Sequence, residues 1–288
     1  MAGPDSIAEA NSADTDTDKE ESDLLKAAFK SCPALDSCQL GISMELEETF
    51  TQDANAFVVP FKLQGTIKTV LNPLVKMGIE ISSSSSFASE DMKYAAKLYM
   101  EQTEKEWVAY SNESGKWVRT VQSAANAPAV KITKTDWEAF ASAVKNAKPA
   151  GEEDIGGVRA TKMEASIQAK LVYKLFGAQL CYVIPGMQAA SQEEKASDKS
   201  MQVFIWISGK NEILKMQFDA GTAWEKIVKD SFSARSTDDF DISVKNVFII
   251  ITVTKLNTLE GFEIPEEAKT ATATASPAST AKPTPDKT

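Results

Sequence analysis

The chain contains no histidine. That absence excludes Ser-His-Asp and Cys-His catalysis, and with them the usual imidazole metal sites. Cysteine is scarce: Cys32, Cys38 and Cys181 are the only three, and their spacing makes no zinc pattern. Cys32 and Cys38 flank Pro33-Ala34-Leu35-Asp36-Ser37. In an oxidising compartment they could close a small loop, adding about 2–3 kcal/mol in the chain-entropy model. The other reading is two reduced, partly buried thiols. Cys181, within Leu180-Cys181-Tyr182-Val183, reads as a core thiol. No apolar run reaches the roughly 18 residues that a membrane-crossing helix needs. Lysine and arginine never cluster, and the net charge is −10. Both facts argue against nucleic acid, and the acidity also argues against electrostatic attachment to an anionic membrane. Met1-Ala2-Gly3-Pro4 offers no positive n-region leading into an apolar h-region. The expectation is a cytosolic protein or the mature part of a longer precursor.

What the chain does have is apolar material, 43% of 288 residues, which is ample for a core. Met1 to Glu21 is Ala, Ser, Asp, Thr and Glu with almost no large apolar residue, so residues 1–21 read as a flexible acidic tether. Thr270 to Thr288 is Ala, Thr, Ser, Pro and Lys, so 270–288 reads as a disordered tail. Residues 22–269 are left for one large β-rich domain.

Within it, Ser22-Asp23 is expected to cap a short helix over Leu24 to Ser31. From Leu40 the apolar period is two. It runs through Leu40, Ile42, Met44 and Leu46, then Phe57 to Thr69, then Val75 to Ile81, then Met92 to Met100. The Ser82–Ser86 run is expected at a strand end or exposed turn. Trp107 and Trp117 lie on the arms of a hairpin around Ser111-Asn112-Glu113-Ser114-Gly115. The period becomes helical from Thr135 to about Ala147, capped at Thr135-Asp136 and stopped by Pro149 and Gly151. A strand is expected from Val158 to about Ala165. A helical spacing then links Ile167, Leu171, Val172, Leu175, Phe176, Leu180 and Val183.

The most informative stretch is Met201 to Ala268. It reads as two strands about a Ser208-Gly209-Lys210-Asn211 turn, a helix, a long strand and a Pro265 exit. Val247, Phe248, Ile249, Ile250 and Ile251 are consecutive and apolar, which predicts that both faces of that strand are covered. The count is about ten strands and four helices. The fold class is therefore α+β: one large, mostly antiparallel sheet with helices over one face.

This order of elements resembles a family. The acidic tether, the leading helix and the long strands carry the resemblance. So do Asp91-Met92-Lys93-Tyr94, Lys97-Leu98-Tyr99-Met100, the Trp107–Trp117 hairpin and the Ile264-Pro265-Glu266-Glu267-Ala268 close. Together they are similar to Gram-positive lipoproteins built on the half-barrel shared by LolA and LppX. The resemblance implies a strongly curved sheet with helices on its concave side and an apolar cavity between them. It implies an exported protein, extracytoplasmic and held at the cell surface by a lipid on an N-terminal cysteine. Here no cysteine precedes Cys32, so such an anchor lies outside this chain.

The aromatic set Trp107, Tyr110, Trp117, Trp137, Phe204, Trp206, Phe218 and Trp224 could line that cavity or form ordinary core. The two have one composition and differ only in unfilled volume. Asp238-Asp239-Phe240-Asp241 lacks the glycine and final glutamate of an EF-type calcium loop and reads as a solvated turn. Glu152-Glu153-Asp154 reads as a similar acidic loop. Gly156-Gly157-Val158-Arg159 is not a phosphate loop. Ser166, Ser208 and Ser231 lack a nucleophile-elbow context. No metal, cofactor or catalytic residue is therefore expected.

Two functions follow. The first is a non-enzymatic binding domain that holds a lipid-like or other apolar ligand between sheet and helices. The second is a surface-attached structural or interaction domain with a filled core.

Overall fold

A computed structural model describes residues 14–52, 55–87, 90–113, 115–124, 131–184, 200–233 and 241–275. Helix α1 is Asp14–Ser31, α2 Lys134–Ala143, α3 Ala169–Val183, α4 Gly221–Ser233 and α5 Glu266–Lys269. The strands are β1 Ser37–Gln52, β2 Asn55–Val70, β3 Lys76–Phe87, β4 Glu90–Gln102, β5 Glu106–Glu113 and β6 Lys116–Ser123. They continue with β7 Lys145–Ile155, β8 Val158–Gln168, β9 Ser200–Ser208, β10 Ile213–Asp219, β11 Asp241–Leu256 and β12 Ala273–Ala275.

All the strands join one 12-stranded sheet, in the order β12-β6-β5-β4-β3-β2-β1-β11-β10-β9-β8-β7. It consists of two meanders, β1 to β6 and β7 to β11, sewn together where β1 pairs antiparallel with β11. Short hairpins join sequential strands from β1 to β6, from β7 to β8 and from β9 to β10, the connections of least loop-closure cost, whereas α3 lies between β8 and β9 and α4 between β10 and β11. Only β12 is parallel to its neighbour, β6. Helix α3 touches both β8 and β3, six places apart in the sheet. A flat sheet would separate them by about 29 Å. The sheet instead curves around the helices as an open half-barrel. The α+β expectation stands, with twelve strands in place of about ten.

The helices cover the inner face. Aromatic rings link α1, α2 and α3: Phe29 to Phe140 at 4.6 Å, Phe29 to Trp137 at 6.1 Å and Trp137 to Phe176 at 6.2 Å. Helix α2 opens with a capping box, in which Thr133 Oγ1 accepts from the Asp136 backbone N–H and Asp136 accepts from the Thr133 backbone N–H. Alternation in β1 sends Leu40, Ile42, Met44 and Leu46 inward, all buried.

Several expectations need correction. Helix α1 starts at Asp14 rather than near Leu24. Thr133, not Thr135, is the cap of α2, and that helix ends at Ala143. Residues 145–155, read as a helix end and acidic loop, form edge strand β7. An edge strand tolerates Pro149, Gly151 and Glu152-Glu153-Asp154 because one of its sides needs no partner. The serine run does form the end of β3, as expected. Part of the C-terminal tail, Ala273–Ala275, pairs with the open edge of β6; residues 276–288 lie outside the described residues. On β11, Val247, Ile249 and Ile251 are buried, but Phe248 and Ile250 are only half-buried. Those two point outward beside Ser43, Glu45, Gln217 and Asp219, their partners on the neighbouring strands. Side chains in the same sheet shield them, rather than a second layer.

Candidate functional site

Register sorts the eight predicted aromatic residues onto two faces of the sheet, because strand side chains alternate. Trp107 and Phe218 point inward from β5 and β10, and both are buried. Trp137 of α2 and Trp224 of α4 are buried against that same inner face.

The other four point outward. Tyr110 and Trp117 belong to a small outer cluster with Tyr99, Val108 and Val121. Phe262, Ile264 and Ala268 of the C-terminal segment cover it. The Tyr110 hydroxyl donates to Glu101 at 2.8 Å, and that of Tyr99 to Glu80 at 2.7 Å. Burial and the adjacent carboxylates push both phenols up from their ordinary pKa.

Phe204 and Trp206 lie outward on β9, beneath Lys162 of β8 and Lys215 of β10. Lys215 Nζ stands 4.1 Å from the Trp206 ring centre, and Lys162 Nζ is 4.5 Å from that of Phe204. Trp206 Nε1–H donates to Glu153 at 2.7 Å, and Lys215 donates to the same carboxylate at 3.0 Å. That ammonium, with the indole, lowers the pKa of Glu153. Trp206 is thus 1% exposed on the outer face, roofed by lysine stems rather than by a helix. The eight residues do not line one cavity.

Cys32 and Cys38 are free thiols, and the structure does not join them. Both line a small enclosed apolar pocket of about 30 Å³ with Trp137, Phe176, Gln179 and Met216. Burial pushes both thiols up to about 11. The pocket has room for little more than a water molecule. The larger depressions, about 650 and 500 Å³, are open. They adjoin on β2, β3 and β4, where small Ser82, Ser84 and Ala95 lie between Lys62, Gln64, Lys93 and Lys97. Of the acidic run before β11, Asp238, Asp239 and Phe240 lie outside the described residues.

One part of the inner face is both apolar and accessible. Along β4, burial is confined to the end near Met100, while Glu90 to Ala95 are exposed. Registers align Leu63 with Ser83 and Tyr94, and Gly65 with Ile81 and Ala96. This inner row ends at the hairpin tips with Phe57 47%, Met92 53%, Tyr94 43% and Val118 39% exposed. At the other end of the same face, Ile67, Met77, Ile79, Met100 and Trp107 are buried. Gly65 keeps the floor low, since a Cβ there would come within 2.9 Å of both the Glu80 carbonyl and Ile81.

Helix α4 borders this trough. Its Trp224 ring packs on inward-facing Phe61 at 5.2 Å, and its Nε1–H donates to Glu48 Oε1 at 2.8 Å. Glu48 is a half-buried carboxylate facing inward opposite Val59 and Val244. Burial raises its pKa, and the Trp224 hydrogen bond partly offsets that rise. Sequence reasoning missed Glu48, Phe57, Phe61, Met92 and Tyr94 as site residues. Their period-two placement was the available signal, but it does not reveal where helix cover stops.

No family model matches the chain. No curated protein matches it either. Among solved structures it is similar to LprF from Mycobacterium bovis, with 13% identity and a TM-score of 0.42 over 87% of this chain and 98% of that one. It is also similar to the Mycobacterium tuberculosis lipoprotein LppX, with 12% identity and a TM-score of 0.34 over 87% of this chain and 100% of that one. LppX is one of the proteins whose half-barrel the order of elements resembles. Identities and TM-scores this low carry nothing about a ligand, so the functional reading rests on the faces of this sheet. Among the described residues, no helix is long and apolar enough to cross a membrane.

Proposed function

We propose that this chain is an extracytoplasmic, lipoprotein-type binding domain that holds a lipid-like or other apolar ligand against the inner face of its sheet. One observation carries the reading. The face that helices bury at one end is left open at the hairpin tips, where Phe57, Met92, Tyr94 and Val118 stay 39–53% exposed. Apolar side chains converging on a concave face, with Ser83 and Ser85 as small polar groups among them, suit an apolar ligand. The test is native mass spectrometry of the purified protein, with organic extraction of whatever co-purifies. A reproducible adduct that extracts as lipid is expected. A clean mass, with no uptake of offered lipids or fluorescent fatty acids, would overturn the proposal.

A second reading is favoured by the small size of the pockets beneath the helices, about 30 and 110 Å³. In it the core is filled, and the exposed apolar strip meets another protein. The same experiment separates the two, because this reading expects no extractable adduct.

A further inference from the structure

The inward set of β1 is Cys38, Leu40, Ile42, Met44, Leu46, Glu48 and Phe50. Glu48 is its one charge. A carboxylate on the burying face of a strand costs free energy unless something uses it. The Trp224 indole satisfies Oε1. Among the described residues, that is the only hydrogen bond Glu48 makes, and no cation pairs with it. Oε2 therefore has open acceptor capacity. The side chain is half-buried rather than sealed. It lies between Phe50 and Leu46 of its own strand and opposite Val59, on the face that runs on to exposed Phe57.

We infer that Glu48 selects the polar end of the bound molecule: its second carboxylate oxygen accepts a hydrogen bond from an uncharged, hydroxyl-bearing head group and turns away an amphiphile that ends in a carboxylate. This rests on the apolar-ligand reading and makes it specific. A hydrogen bond to an ionised acceptor is roughly twice as strong as a neutral one. Two carboxylates sharing a half-desolvated site repel, so an anionic head group is disfavoured for the reason that the hydroxyl is favoured.

The test uses the full chain and two probes with the same tail, 1-monopalmitoylglycerol and palmitate. Both are offered below their micellar concentrations at pH 7.5 and compete with a fluorescent apolar reporter. The unsubstituted chain is expected to prefer the monoacylglycerol by about tenfold or more. In Glu48→Gln the preference is expected to collapse to within a few-fold, mainly through a gain in palmitate affinity. Glutamine keeps an acceptor for Trp224, so helix α4 stays docked, which circular dichroism checks. Equal affinity for both probes in the unsubstituted chain overturns the role of Glu48 and leaves the binding reading standing. So does an unchanged ratio in Glu48→Gln. Failure of either probe to displace the reporter, with no binding of the reporter itself, overturns the binding reading and this inference with it.

Discussion

The indole N–H of Trp224 meets the carboxylate of Glu48 at 2.8 Å, tying helix α4 to the middle of β1 across a sequence separation of 176 residues. The ring also packs on Phe61, so one side chain holds the helix to two strands. Burial raises the Glu48 pKa above its ordinary value. A raised acid favours its neutral form in the fold. Its contribution to stability is fully present below the unfolded pKa and is lost as pH rises through the folded one. Ionising the half-buried carboxyl therefore opposes folding. Glu48→Gln is expected to stabilise the chain or leave it unchanged at pH 7, and the gain should vanish at about pH 4. Urea unfolding at the two pH values checks this. A clear loss at pH 7 would mean that the charge has a partner which holds it in the fold.

Trp206 shows how an outward-facing residue can be buried without a covering layer. Lys162 and Lys215 lie over the rings of β9, and Glu153 holds both Lys215 and the indole N–H. Trp206→Ala is expected to cost about 3–5 kcal/mol, as for an interior tryptophan. Phe204→Ala should cost less, since Phe204 is half-buried. Equilibrium denaturation compares the two. A cost for Trp206 below that for Phe204 would show that the lysine roof does not pack.

The strands and their alternation were legible in the sequence, because period two is written directly in runs such as Leu40 to Leu46. The helix around Trp224 and the hairpin at Gly209 were equally plain. What period two does not encode is which of the two faces the helices will cover. Trp107 and Tyr110 sit three positions apart on one strand, and that odd spacing alone sends them to opposite faces. Grouping aromatic residues by type ignored this parity and merged an inner core with an outer cluster. Strand β7 was missed for a related reason. An edge strand buries little, and here Ala147 is its buried residue, so its sequence looks like a loop. The trough was hidden because exposure at Phe57 and Tyr94 depends on where α4 and its neighbours end, a property of three-dimensional cover.

Gly78 controls the outer cluster. A Cβ there would come within 2.9 Å of the Phe262 ring and 3.1 Å of Tyr99. Phe262 and Ile264 reach this surface only because β3 presents no side chain at that point. The Phe262 backbone carbonyl also accepts from Lys76 Nζ at 2.6 Å, which fixes the segment beside β3. Gly78→Ala is expected to lift Phe262 and loosen the segment through Ala268, with little effect on the inner core. Faster hydrogen exchange over residues 262–268, and a red shift in Trp117 emission, are the measurements. Unchanged exchange there would show that the ring swings aside without cost.

Cys32 and Cys38 are free thiols in the structure, the second of the two readings that their spacing left open. With five residues between them a closed loop was one reading, yet both stay free thiols, buried beside one small apolar pocket. The Cys32 thiol donates to the Ala28 carbonyl at 3.5 Å, the kind of back-bond that a helix end supplies. With burial pushing both up to about 11, neither is a thiolate at pH 8. In native protein at that pH, a maleimide or disulfide reagent is expected to reach half-buried Cys181 first and leave the other two untouched for much longer. In guanidinium without reductant, all three should titrate. A count of one free thiol under those conditions would mean that Cys32 and Cys38 are bonded in the isolated protein. Rapid labelling of both in the native state would mean instead that α1 opens readily from the sheet.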